Sequence, residues 1–262
     1  MKERIISAFI ALIITVPFLL LGGIYFEILV VILGILGLKE LLDLKKNIPG
    51  TMKIISYVLF VMLLIYGYIF TGKIYLMNFT FAVICFIALF LPLIFYSNNK
   101  KYNIEDVFFL LSCIMFLSSA FNLFIIVRNY SLMLILYLFL ITIITDTFAY
   151  VVGSKIGKRK LIPSISPNKS VEGFIAGLAV GTIVPSIFYY FCVGGLNIFL
   201  IFLITFLLSI VGQCGDLIFS QIKRNFGVKD FSNIMPGHGG ILDRLDSIIF
   251  VLFGYVIISV IL

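Results

Sequence analysis

Nine stretches of this chain are too long and too apolar to be held in water. They lie near residues 5–22, 24–41, 54–72, 74–96, 106–127, 131–153, 171–193, 196–219 and 247–262. About 20 apolar residues carry a helix across a hydrocarbon core about 30 Å thick, and there a helix satisfies its own backbone polar groups. The segments between them are short and leave no room for a separate soluble domain. Composition agrees: 62% of the 262 residues are hydrophobic and 12% charged, with a mean hydropathy of +1.23. A soluble domain carries about 25% charge. A soluble globular enzyme, a disordered chain and a disulfide-rich secreted scaffold are therefore excluded. The expected fold class is all-α: a polytopic integral membrane protein with about nine transmembrane helices.

Basic residues orient such a stack, because they collect on the cytoplasmic side. With the N-terminus in the cytoplasm and nine spans, 17 of the 19 basic residues are cytoplasmic, leaving only Lys73 and Arg128 outside. An eight- or ten-span arrangement scrambles this partition, so the C-terminus is expected outside. Lys2 and Arg4 precede the first stretch as in a signal peptide, but no A-x-A-like cleavage site follows. A retained helix is expected. The net charge of +7 is spread over these loops, so no nucleic-acid partner is expected. The four cysteines are far apart in apolar runs and read as buried small hydrophobes, and a single histidine excludes a multi-histidine metal centre. Lack of further domains or targeting segments suggests a bacterial plasma membrane.

Residues 1–130 keep their charges almost entirely at span ends and read as N-terminal transmembrane helices. Residues 131–262 read as a C-terminal transmembrane region that carries the chemistry on its cytoplasmic side, within one integral membrane unit. Asp146 and Asp216 lie inside apolar runs, where an isolated charge costs about 2.5–3.5 kcal/mol. The alternative is a carboxylate solvated by headgroups, and Glu27 is read that way. Between Gly153 and Gly173 the sequence GSKIGKRKLIPSISPNKSVEG sets five basic residues among glycines and serines. It is not a Walker A loop. Phosphate binding and an ordinary cytoplasmic loop both remain open from it alone. Gly173, Gly177 and Gly181 fall on one helix face and predict close helix packing.

The densest polar region is GDLIFSQIKRNFGVKDFSNIMPGHGGILDRLD, from Gly215 to Asp246. Helical spacing puts Asp216, Ser220 and Lys223 or Arg224 on one face, and Asp243 and Asp246 on another. Clustered carboxylates repel unless a cation joins them, and oxygen-only ligands suit Mg²⁺ bridged to phosphates. The residues thus point to a Mg²⁺-dependent phosphate site at the cytoplasmic membrane surface. His238 is read either as a loop hydrogen-bonding group or as a phosphate-contacting or acid–base residue.

Over these residues the chain resembles the phosphatidate cytidylyltransferase (CDP-diacylglycerol synthase) family. The family signature is matched by Ser220, Lys223, Arg224, Lys229, Asp230, Ser232, Pro236, His238, Gly239, Gly240, Asp243, Arg244 and Asp246. Upstream, D-T-x-A-Y-x-x-G and S-P-x-K-x-x-E-G are matched through Asp146, Thr147, Ala149, Tyr150, Gly153, Ser166, Pro167, Lys169, Glu172 and Gly173. The motif resemblance covers residues 146–246. Many members carry an acid where this chain has Phe219, and a lysine where it has Asn168; Ser170 and Met235 are milder departures.

The resemblance implies CMP transfer from CTP to phosphatidic acid, giving CDP-diacylglycerol and pyrophosphate. It implies that Asp216 and Asp243 ligate Mg²⁺ (with a second cation in some arrangements), supported by Asp246 and Asp146. It implies that Lys223, Arg224, Lys229 and Arg244 hold phosphates against the His238–Gly239–Gly240 turn. Ser220, Asp230 and Lys169 are expected among the substrate-binding residues. The glycine-lined helix and the resemblance are compatible with a homodimer. Two other readings compete: a related CTP-using membrane enzyme acting on another lipid, and a transporter whose Asp146 and Asp216 bind a coupling ion. Asp243→Asn is expected to abolish CMP transfer while the protein still inserts in membranes; near-normal turnover would remove Asp243 from the metal site.

Overall fold

Apolar runs of this length have no partner for their backbone groups except themselves, so each of them becomes helix. The computed structural model describes residues 2–69, 74–96, 102–237 and 239–261. Its helices are α1 (Lys2–Leu21), α2 (Gly23–Leu44), α3 (Gly50–Ile69), α4 (Ile74–Phe90), α5 (Pro92–Tyr96) and α6 (Ile104–Tyr130). They continue with α7 (Leu132–Ile156), α8 (Val171–Phe188), α9 (Ile198–Asn225) and α10 (Leu242–Ile261). Among the described residues, five helical segments are long and apolar enough to cross a membrane: α6, α7, α8 with its following turn to Val193, α9 and α10. Shorter apolar stretches occupy Phe9–Leu21, Gly50–Ile65 and Ala82–Tyr96, and α2 contains Glu27, Lys39, Glu40 and Asp43. The chain is an all-α membrane protein with one small hairpin. Many of its large apolar side chains point outward, among them Phe191 and Phe199, as a lipid-facing surface requires.

Two compact units divide the chain. The first comprises Met1–Ile126 and Phe231–Ile241, the second Val127–Asp230 and Leu242–Leu262. In the first unit Gly34 lies against the Phe60 and Phe121 rings, which meet edge to face at 6.4 Å. Asn103 and Asp106 cap α6 reciprocally, each side chain accepting the other's backbone N–H at 2.9 Å. Asp106 also pairs with Lys45 at 2.5 Å. Glu27, expected among headgroups, is instead buried.

The second unit is built on glycine contacts. A Cβ on Gly173 would lie 2.5 Å from Ala149 O, one on Gly177 2.6 Å from Thr145 O, and one on Gly181 would strike the Thr145 hydroxyl. The four-residue glycine spacing thus lets α8 lie backbone to backbone on α7, as the sequence suggests. Gly212 and Gly215 of α9 instead make room for the Val251 and Phe250 side chains of α10. Hydroxyl pairs join α7 to α9: Tyr137 with Thr205 at 2.7 Å and Thr145 with Ser209 at 2.9 Å. Pro185 interrupts the α8 ladder, and the helix ends in a wide π-type turn over Tyr189–Val193. Between α7 and α8 an antiparallel hairpin forms, β1 (Lys160–Ile162) with β2 (Ser166–Ser170). Of the cysteines, Cys85 and Cys113 are buried as expected, whereas Cys192 and Cys214 are exposed.

The glycine seam makes a clear prediction. Gly177→Val forces a side chain into Thr145 O and is expected to cost about 1–3 kcal/mol, the usual range for overpacking. Gly50→Ala, with nothing within 4 Å of the new atom, should be neutral. Thermal unfolding of both variants in detergent checks this.

Candidate active site

The second unit gathers its charges where α7, α9 and α10 approach one another. On α9, Gln213, Asp216, Ser220 and Lys223 follow one another at helical spacing along one face. Asp216 is held from two sides: Lys169 reaches one oxygen at 2.6 Å and the Ser220 hydroxyl donates to the other at 3.3 Å. Asp146 of α7 interacts electrostatically with both Asp216 and Lys169. Asp246 of α10 interacts with Asp216, Asp146 and Lys223, and it accepts the Ser247 N–H at 2.8 Å. Lys223 binds Asp243 at 2.6 Å, and both side chains are nearly withdrawn from solvent, at 10% and 4% exposure. Asp243 sits in the first turn of α10, where the helix dipole favours an anion.

Four carboxylates and two ammonium groups make up this cluster, which leaves two negative charges uncompensated within it. Among the described residues no group of three or more His, Cys, Asp or Glu side chains is arranged around a metal position. Lysines instead take one oxygen each of Asp216 and Asp243. The donor chemistry nevertheless fits Mg²⁺: every donor is an oxygen, and the formal charge excess equals that of one divalent ion.

Beside the acids lies a cavity of about 660 Å³. Asp146, Lys169 and Asp216 line it together with Tyr150, Lys160, Ser166, Asn168, Phe174 and Gln213. Its polar edge is the hairpin, fixed by its own chemistry. Ser170 caps α8 by accepting the Gly173 N–H at 3.1 Å. Glu172 accepts the backbone N–H groups of Lys158 and Arg159 at 3.0 and 3.2 Å. Arg224 donates to Ile165 O at 3.3 Å and to Val228 O at 3.1 Å. A phosphate-rich ligand would meet cations and hydroxyls along this edge.

The comparisons decide the lineage. Residues 2–262 match the profile described as the cytidylyltransferase family. The chain belongs to this family. It is 40% identical over 258 residues to the phosphatidate cytidylyltransferase of Staphylococcus haemolyticus (strain JCSC1435), covering 96% of each chain. The enzyme of that name from Staphylococcus aureus (strain COL) is 40% identical over 256 residues, again covering 96% of each. That from Staphylococcus epidermidis (strain ATCC 12228 / FDA PCI 1200) is 38% identical over 266 residues. This member is accordingly an enzyme, a nucleotidyltransferase, carried in a bacterial membrane.

Within this cytidylyltransferase the expected residues fall into three groups. Asp146, Lys169 and Asp216 line the cavity, while Ser220, Lys223, Asp243 and Asp246 connect to them through the contacts above. Arg224, Lys229, Asp230 and Arg244 are exposed near the end of α9 and the start of α10. Gly239 and Gly240 belong to the first unit, and His238, like Lys73, Lys100 and Lys101, lies outside the described residues. Phe219, where many members carry an acid, is fully buried and meets the Phe250 ring at 6.1 Å. Asn168, the other departure, lines the cavity. Sequence reasoning missed Gln213, whose amide N–H donates to Phe174 O at 3.3 Å. A polar amide three residues before Asp216 in an apolar run was the available signal.

Lys223→Met removes the ammonium that Asp243 binds at 2.6 Å, and breaking a buried ion pair from one side costs about 3–5 kcal/mol in comparable sites. Adding Asp243→Leu is expected to restore much of the thermal stability without restoring activity. Melting temperatures and turnover of the single and double variants separate the two effects.

Proposed function

We propose that this chain transfers CMP from CTP to phosphatidic acid, releasing pyrophosphate and leaving CDP-diacylglycerol in the membrane. The observation that carries the reading is the cavity beside Asp216, which joins an acidic cluster to a cationic hairpin in a chain otherwise suited to lipid. Identity to phosphatidate cytidylyltransferases across 96% of the chain supports the choice of both substrates.

The reaction needs little covalent help from the protein. A phosphate oxygen of phosphatidic acid attacks the α-phosphorus of CTP, the bond from that phosphorus to the bridging oxygen breaks, and pyrophosphate departs in line. A phosphate monoester is already largely ionised near neutral pH, so no general base is required. What remains is positioning and charge neutralisation. Lys169 and Lys160 face the cavity and hold phosphate oxygens; Lys223, Arg224, Lys229 and Arg244 are the further cations of the site. Ser220 orients Asp216, and Asp230, His238, Gly239 and Gly240 are assigned to substrate binding from the family resemblance alone.

Asp216 and Asp243 would hold Mg²⁺, with Asp146 and Asp246 supplying the surrounding negative charge. A bound divalent cation supplies neutralisation of the triphosphate as charge builds on the leaving group. A phosphate drawing Lys169 toward itself would free the Asp216 oxygen that Lys169 now occupies. The same exchange applies to Lys223 and Asp243.

The topology supported by the basic residues is nine spans with the N-terminus cytoplasmic, the C-terminus outside and the active site facing the cytoplasm. Any homodimer would use a face other than the glycine face of α8, since α7 already covers that face. The test is purified protein in detergent–lipid micelles with phosphatidic acid, Mg²⁺ and α-labelled CTP. Metal-dependent label in the lipid phase with matching pyrophosphate release is expected. Transfer to another lipid acceptor only would favour a different CTP-using enzyme, and ion-coupled uptake without CTP turnover would favour a transporter.

A further inference from the structure

The acid most deeply buried outside the cluster is Glu40, near the end of α2, at 1% exposure. Burying a carboxylate is costly unless it is hydrogen-bonded, and Glu40 obtains its bonds from far along the chain. Its Oε1 accepts the Ser232 hydroxyl at 2.7 Å and the Ile241 N–H at 2.8 Å. Both donors belong to the segment that joins α9 to α10, one on each side of the Pro236–Gly240 turn. A Cβ on Gly240 would lie 2.5 Å from Glu40 Oε1 and 2.7 Å from Oε2. The segment is therefore closed around one carboxylate. Met235 N–H donates to Gly239 O at 2.9 Å across the turn, and Gly237 and Gly239 take positive φ angles of 74° and 82°. Gly239 is required by its backbone angle, Gly240 by the carboxylate beside it.

We propose that Glu40 is a positioning residue for the transfer reaction, clamping Ser232 and Ile241 so that the backbone at Gly239 and Gly240 is held in its working conformation. This rests on the reading of the chain as a phosphatidate cytidylyltransferase. It gives a specific task to a side chain of the N-terminal half, and a physical reason for the small residue at 232 and the glycine at 240.

The experiment measures kcat, KM for CTP and thermal midpoint for full-length Glu40→Gln, Glu40→Ala, Gly240→Ala and the Glu40→Ala/Gly240→Ala double variant. Glu40→Ala should lower kcat per folded protein by about tenfold to a hundredfold, the scale of losing hydrogen bonds to a charged group. Glu40→Gln keeps an oxygen acceptor and should recover most of that loss. Gly240→Ala should be impaired alone, while the double variant is no worse than Glu40→Ala, because the group that the new methyl would strike is gone. Unchanged kcat per folded protein in Glu40→Ala, or fully additive losses in the double variant, would overturn the proposal. Should the unaltered protein itself fail to label phosphatidic acid, the functional reading falls and the clamp is judged by hydrogen exchange over residues 231–241. Faster exchange in Glu40→Ala but not in Glu40→Gln supports the clamp, and equal exchange in all three removes it.

Discussion

The second unit is organised around a shortage of positive charge. Asp146, Asp216, Asp243 and Asp246 interact with Lys169 and Lys223, on helices that are otherwise largely apolar. The Lys223–Asp243 pair, at 10% and 4% exposure, is poorly screened and counts for more than a surface ion pair. Lys169 and Asp216, at 29% and 26%, stay within reach of solvent. Lys169 reaches Asp216 from the hairpin and Lys223 reaches Asp243 across the α9–α10 pair. The two ion pairs thereby tie three separate segments together. A formal excess of two negative charges remains beside a cavity with a cationic rim.

That arrangement is possible because the helices carrying it come unusually close. Gly153 and Gly173 bring the last turn of α7 against the first turn of α8, where a Cβ on Gly153 would be 3.4 Å from Gly173 Cα. The hairpin between these helices then has little freedom. Glu172 removes more of it by accepting two consecutive amides of the basic segment. The lysines of the loop are thus presented on a fixed backbone, which lowers the ordering cost of binding a phosphate chain.

Much of this was legible in the residues. Helical spacing alone puts Asp216, Ser220 and Lys223 on one face, and the glycine interval predicts a closely packed face on α8, though not that α7 fills it. What could not be read were contacts between segments far apart in sequence. Glu40 sits between Lys39 and Leu41 at the end of an apolar run, where a solvated interfacial acid has the same local pattern; its partners are 192 and 201 residues away. Glu27 misled in the same way. The hairpin escaped notice because Pro163 and Pro167 and the serines around them read as loop, whereas its pairing is short, with Lys160 opposite Ser170 and the Val171 N–H donating to Arg159 O, rather than set by alternating apolar residues. The break between α4 and α5 falls just before Pro92, inside a stretch that hydropathy alone treats as continuous.

Phe219 shows how a departure from a family pattern is weighed by geometry. An acid at this position would enter a fully buried interface, between α9 and the Phe250 ring of α10, where an unpaired carboxylate is costly. Here an aromatic ring fills the same place and gains edge-to-face contact with Phe250. The acids that matter to the cavity lie on other positions of the helix: Asp216 is three residues earlier and reaches Lys169, with Ser220 one turn on as its donor. Replacing the acid by phenylalanine therefore alters how α9 packs on α10 and leaves the charge balance of the Asp216 cluster intact. Asn168 is the opposite case. It faces the cavity directly, so exchanging a lysine for this amide removes one cation from the edge where phosphates would bind. Of the two departures, the one at 168 bears on ligand affinity and the one at 219 on the helix pair.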